Sequence, residues 1–366
     1  MSNNVLFLYC IFSRNPRTLR CLIAAVLSTL AGFAFAQQQM LPLPTLPDGV
    51  IELRVAYVRN SRLPEMSVGQ LNLLLETARL GVREHFSRDI KFTVPARLSV
   101  QEVFERFTAQ DAKLLNSGIY DFKTGRGNDA RLRKAFVQDI GRHKDNLDDQ
   151  IEYVRPYLLA PLTDRSTEAL SDALMKTHLA RLRQFAAQRM PDGGLLIDDQ
   201  PYNEYAYWGS LDFIRLPYEV VITNQLIASV EYYDVEVHSA IRGGISNGIT
   251  AQNGAARFLS SSVVSTYPFI GEDAATKELR GNESYSSDDA AKYAGYLLVH
   301  ELGHQLLHLG HPFGRKACVM NPTELLHFRA WVNQFSAKDC PVVATAASGA
   351  MKPGFVKMFM PRAVKP

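Results

Sequence analysis

His300-Glu301-Leu302-Gly303-His304 closes an apolar run that opens at Ala290: Ala-Ala-Lys-Tyr-Ala-Gly-Tyr-Leu-Leu-Val. Ahead of it, Ser286-Ser287-Asp288-Asp289 supplies cap oxygens and first-turn acids, the signature of a helix start. No proline interrupts before Pro312, and Gly310 is placed to take the left-handed geometry of a helix end. On such a helix His300 and His304 are i and i+4. Both imidazoles then lie on one face and can share a metal ion. Glu301, between them, can take a proton from water activated at that ion. The chain has nine His, and four of them (His300, His304, His308, His311) fall in this one stretch. A buried helix with bonded core histidines explains the two-His spacing but not the cluster.

Working outward, the segments before this helix read as alternating strand and helix. Val50 to Val58 has strand periodicity. Ser67 caps a helix through Phe86, with Val68, Leu71, Leu74, Leu75, Ala78 and Val82 on its apolar face. Ile90 to Val94 follows as a second strand, which predicts a β-α-β unit with a parallel pair. Residues 100–190 read as a charged helical block, clearest over Val100–Leu115, Asp129–Asp139 and Ser166–Met190, with no chemical signature. From Tyr202 strand formers return: Pro217–Leu226, Asp234–Ser239, a Gly-, Asn- and Ala-rich bulged strand or rim loop from Gly243 to Phe258, and Ser260–Tyr267. A last helix is expected over Thr323–Phe335. The fold class is thus α/β (α+β).

The first 36 residues read as an export signal. Arg14, Arg17 and Arg20 precede an apolar segment, Cys21 to Phe35, and Ala34-Phe35-Ala36 supplies a cleavage site. That apolar run is short for a membrane span, so the expectation is an exported, periplasmic or secreted protein without stable membrane insertion, rather than an uncleaved anchor. Removing three Arg and no acidic residue leaves 37 basic groups facing 37 acidic ones. A balanced chain of this kind gives no reason to expect a nucleic-acid partner. Cys318 and Cys340 remain after the signal, and an even pair in an oxidising compartment predicts a disulfide. Residues 37–48 read as a flexible lead-in, 49–345 as one catalytic domain with the helical insertion at about 100–190, and 346–366 as a loose tail. With 46% hydrophobic residues the chain can bury a sizeable core.

Catalytic zinc takes three protein ligands and leaves one position for water. His308 lies eight residues beyond His300, which separates their Cα atoms by ~12 Å along one helix. His308 therefore reads as a helix-end residue. His311 follows Gly310, where a left-handed turn can swing the chain back under the metal, and it is the favoured third ligand. Glu324 is the alternative carboxylate, with an ordinary role at a helix N-terminus as its rival. Both Glu324 and His308 stay open as alternative ligands.

These residues resemble the metzincin clan of zinc peptidases, and in particular its archaemetzincin-like members. The clan pattern is H-E-x-x-H-x-x-G-x-x-H followed by a Met-turn. His300, Glu301 and His304 match its first part, and Cys318-Val319-Met320-Asn321 resembles the Met-turn, with Met320 as a floor beneath the metal. The β-α-β start and the strand-rich stretch before the metal helix resemble the clan's N-terminal subdomain. The sequence departs from the pattern at Leu307, where the clan has Gly, and at Gly310, where it has the third His. Here Gly310 and His311 are adjacent, so the helix is expected to run one turn further before breaking.

The resemblance implies a metzincin-like catalytic domain with a twisted mixed sheet, an active-site helix, bound Zn2+, and Glu301 as general base for hydrolysis of a peptide or protein substrate. Tyr267, Tyr285, His308 and His327 are unranked candidates for an oxyanion donor, and Asn247–Leu259 for an edge strand that pairs with substrate. Two alternatives stay open: a gluzincin-type peptidase that uses Glu324, and an exported zinc-binding or interaction protein without peptidase activity.

Overall fold

The first strand run is split by one residue. In the computed structural model it forms β1 (Ile51–Leu53) and β2 (Val55–Arg59), with Arg54 at the break. Side chains take over the ladder there: Arg54 N–H donates to Glu219 Oε2 at 2.8 Å, and Val55 N–H to Thr93 Oγ1 at 3.1 Å. Both backbone donors therefore stay bonded as the strand changes partner. The residues described are 49–115, 120–121, 126–127, 129–142, 147–190, 192–195, 207–211, 214–228, 241–247, 261–307, 309 and 316–338. The expected signal, lead-in and tail lie outside them.

Ser67 caps α1 (Val68–Phe86), and Ser67 and Gln70 close a reciprocal capping box. β3 (Ile90–Phe92) then pairs parallel with β1, and β4 (Ala96–Ser99) parallel with β2. This is the β-α-β start expected from the periodicity. Next come α2 (Val100–Phe104), α3 (Ala109–Leu115), the short pair β5 (Tyr120–Asp121) and β6 (Arg126–Gly127), then α4 (Asp129–Arg142), α5 (Leu147–Val154) and α6 (Thr167–Ala186). β7 (Val220–Thr223), the pair β8 (Ile227–Ala228) and β9 (Ile241–Arg242), β10 (Gly244–Asn247) and β11 (Ser261–Ser265) follow. The C-terminal part holds α7 (Tyr267–Ile270), α8 (Ala274–Leu279), α9 (Ser287–Leu307) and α10 (Phe328–Val332).

The main sheet has the order β10-β11-β7-β2-β4. Its β11–β7, β7–β2 and β2–β4 pairings are parallel, and only the edge strand β10 runs antiparallel. The fold is α/β and about half helical. Successive residues of the central strands face opposite sides. Val55, Tyr57, Val220, Ile222 and Val264 join the core with α1 and α9. Ala56, Val58, Val221 and Val263 pack with Val103, Phe107, Trp208 and Leu211 on the other face. A parallel sheet covered on both faces needs continuous apolar strands, and each fully buried Val or Ile contributes about 1.5–3 kcal/mol relative to exposure.

Helix α9 is buried around almost its whole circumference from Ala290 to Leu307, which is why its sequence is apolar all round rather than striped. It crosses α1 at backbone contact. A Cβ on Gly295 would stand 2.7 Å from the Leu74 carbonyl oxygen, so only glycine permits the approach.

The described residues, all within 49–338, belong to one compact unit, and the helical block contributes to its core. Leu132, Phe136 and Ile140 of α4 and Leu170, Leu174, Leu182 and Phe185 of α6 join the same buried cluster as α1 and α9. Gln184 Nε2 also donates to Glu278 Oε2 at 2.9 Å, tying α6 to α8.

Several boundaries differ from the sequence reading. Pro217–Leu226 shortens to β7, because the Asn224 side chain leaves the ladder and donates to the carbonyls of Asn60, Leu63 and Pro64. The helix expected over Thr323–Phe335 shortens to α10. Leu325 takes a left-handed φ of 52°, and Leu326 O accepts the Tyr285 hydroxyl at 3.0 Å, so the first half is a turn. Asp234–Ser239 and residues 248–260 lie outside the described residues; the edge strand that is described, Gly244–Asn247, lies in the expected bulged strand or rim loop and meets the expected edge stretch only at Asn247. Among the described residues no helix is long and apolar enough to cross a membrane.

Candidate metal centre

The motif helix delivers His300, Glu301 and His304 together, all buried at 4%, 5% and 3% exposure. His300 Nδ1 lies 2.8 Å from Val319 O, and His304 Nδ1 lies 2.5 Å from Leu309 O. A carbonyl oxygen only accepts, so both Nδ1 atoms carry a proton. A ring protonated at Nδ1 alone presents an Nε2 lone pair, and the two Nε2 atoms face one another at 3.1 Å. Two lone pairs at that distance repel unless a cation or a proton lies between them. Two nitrogens bound at ~2.0–2.1 Å to one near-tetrahedral zinc ion stand roughly 3.3 Å apart, so the pair suits a shared ion. Carbonyl acceptors on the far ring nitrogens are the usual outer support of metal-binding histidines.

The Glu301 carboxylate points toward the sheet edge. A Cβ on Gly244, the first residue of β10, would lie 2.7 Å from Glu301 Cδ and 2.8 Å from its Cγ. The strand backbone thus runs directly against the carboxylate. One residue past His304, Gln305 fastens the helix to the sheet. Its Oε1 accepts from Ser262 Oγ at 2.7 Å, and its Nε2 donates to Glu219 O at 3.1 Å.

The segment Cys318-Val319-Met320-Asn321 is a buried turn, closed by Asn321 N–H donating to Cys318 O at 2.8 Å. Met320 is 1% exposed. Its thioether fills the space beside Gly303, where a Cβ would also meet Phe86 Cζ at 2.8 Å. Met320 therefore packs against the helix turn between the two histidines. Cys318 is disulfide-bonded, while Cys340, its expected partner, lies outside the described residues.

The described helix runs to Leu307, and Leu309, already outside it, reaches back with its N–H to Gly303 O at 3.2 Å. The Leu309 carbonyl in turn bonds His304. His308, Gly310 and His311 lie outside the described residues. Glu324 is exposed, and among the described residues no three His, Cys, Asp or Glu side chains gather to hold a metal ion. Glu324 is thus not brought to His300 and His304.

Two oxyanion candidates are committed elsewhere. The Tyr267 hydroxyl donates to Asp273 Oδ2 at 2.8 Å, and burial, reinforced by that carboxylate, pushes its pKa well up. The Tyr285 hydroxyl bonds Leu326 O, and burial pushes it up to about 12.

Sequence reasoning missed Gly244, Gln305 and Trp331. Gly243-Gly244 was legible as a break in a strand-forming stretch, but not what it makes room for. Trp331 is one of only two tryptophans in the chain; its indole N–H donates to Asn321 O at 2.7 Å and its ring stands edge-on to His300. Comparison with family models, with curated proteins and with solved structures finds no match.

Proposed function

We propose that the chain is an exported zinc-dependent endopeptidase of metzincin-like type, with His300 and His304 as metal ligands and Glu301 as general base. The observation that carries this reading is the facing pair of Nε2 atoms, 3.1 Å apart, with both Nδ1 protons already spent on carbonyls. A zinc ion held by such a pair supplies a Lewis acid and a water of lowered pKa. His311 remains the proposed third ligand.

Glu301 accepts a proton from water and returns it to the leaving amine. Its carboxylate is set for this by the backbone of β10, which confines it from the sheet side. β10 is the margin of the main sheet, so an extended peptide can add alongside it by strand pairing and bring its carbonyl past Glu301. Gln305 holds the helix at fixed distance from that margin. Met320 and Phe86 fill the helix's back surface and exclude water there. The disulfide at Cys318 supports export to an oxidising compartment.

The test is Glu301→Gln in the full chain, read by cleavage of a mixed quenched-fluorescent peptide library and by bound zinc. Hydrolysis falls at least ~10²-fold with zinc retained if Glu301 is the base. A wild-type protein that binds zinc but cleaves no peptide is instead a zinc-binding protein, and the enzyme reading fails.

A further inference from the structure

We infer that Trp331 is a positioning residue for His300, acting through the turn Cys318–Asn321; the inference rests on the proposed role of His300 as a metal ligand. The connection is continuous. Trp331 Nε1–H donates to Asn321 O at 2.7 Å. Asn321 N–H donates to Cys318 O at 2.8 Å and closes the turn. Within that turn Val319 O, 2.8 Å from His300 Nδ1, fixes the ring's tautomer and rotation. The indole also touches the ring it steers, with centroids 6.0 Å apart in an edge-on arrangement.

Trp331 is itself held in place. Phe335 packs edge-on against its ring at 4.7 Å and Phe328 at 6.1 Å, and the residue is 5% exposed. The indole N–H is a donor only, and a buried indole N–H needs a partner. Asn321 O is that partner, so the turn cannot rotate without stranding both groups. The turn is anchored at its first residue by the Cys318 disulfide and at its last by Trp331. Between the anchors, the Val319 carbonyl has one direction available.

Outer groups that orient a metal-bound histidine typically change metal affinity by ~10–100-fold when removed. The experiment compares wild type, Trp331→Phe and Phe335→Leu as full chains, with zinc affinity measured by chelator competition. Trp331→Phe keeps a ring and loses the N–H, and its zinc affinity is expected to fall by at least ~10-fold. Phe335→Leu removes packing on the same indole but leaves the hydrogen bond, and its affinity should stay near wild type. In metal-free protein, the His300 Nδ1 proton should exchange with solvent faster in Trp331→Phe and not in Phe335→Leu. A third readout needs no substitution: of the two indole N–H resonances, only that of Trp331 should shift on Zn2+ saturation.

Equal zinc affinity in wild type and Trp331→Phe overturns the inference. So does an equal loss in both variants, which marks a general packing effect, or a Trp331 resonance indifferent to zinc. If wild type binds no zinc, the metal reading of His300 fails; faster exchange in Trp331→Phe would then still support the positioning of the ring.

Discussion

A Cβ placed on Gly244 would lie 2.7 Å from Cδ of Glu301: the edge strand and the candidate base meet with no room for a methyl group. Gly244→Ala must displace either the strand or the carboxylate. His300 and His304 are held by the carbonyls of Val319 and Leu309, so they should not follow. The expected result is hydrolysis down by at least ~10²-fold, in line with loss of a general base, with zinc affinity close to wild type. Unchanged turnover in Gly244→Ala would remove the strand from the catalytic argument.

Zinc should stabilise the fold through the same two rings. At a hundred times its dissociation constant, a ligand specific for the native state adds about 2.7 kcal/mol. Thermal unfolding of wild type should therefore shift upward by several degrees on adding Zn2+ and return on chelation. His300→Ala and His304→Ala should each lose that shift. Glu324→Ala, at an exposed position away from the pair, should keep it. A shift abolished by Glu324→Ala alone would restore the carboxylate ligand and displace His311.

Gln305 joins α9 to two points of the sheet, Ser262 and Glu219 O. Gln305→Ala takes the acceptor from one buried hydroxyl and the donor from one carbonyl, and it leaves a small cavity. Together these should lower stability by about 2–3 kcal/mol, seen as an earlier midpoint in urea. A loss within the few tenths typical of surface substitutions would mean that the helix is held in register by its apolar contacts alone.

His85, in the last turn of α1, is 3% exposed and its Nδ1 has no hydrogen-bond partner among the described residues. It lies edge-on to Tyr296 and Phe335. Burial lowers its pKa from the ordinary 6.5, while Glu84 opposes the shift weakly. The unfolded chain therefore takes up a proton at higher pH than the native one. Stability carried by the neutral ring is complete above about pH 6.5 and is lost as pH falls from there through the lowered native pKa. Denaturant unfolding of wild type at pH 7.5 and 5.5, set against His85→Phe, should show a smaller drop in the variant. An equal drop in both would assign the acid sensitivity to other groups.

Much of the site could be read from the chain because it is local. Two histidines four residues apart on a helix must share a face, so His300, Glu301 and His304 needed no tertiary information. The same holds for the Ser67 cap and for the strand periodicity from Val50 to Val58. The boundaries that failed did so where a side chain from elsewhere intervened. Asn224 ends β7 by bonding the loop at 60–64, and Leu325 turns left-handed where a helix was expected, with the Leu326 carbonyl bonded by Tyr285. Neither is a propensity of the local sequence.

The amino-acid sequence by itself determined a helix carrying two histidines and a glutamate, and an α/β order of elements. Tertiary structure alone decided what surrounds them. Packing in three dimensions sets Gly244 against Glu301, Met320 against Gly303, and Trp331 beneath the turn that aims His300. These contacts join residues distant along the chain, so no spacing or periodicity encodes them. They follow from close packing of α9 between the sheet, α1 and the C-terminal turn, where a difference of one methyl group decides which side chain fits.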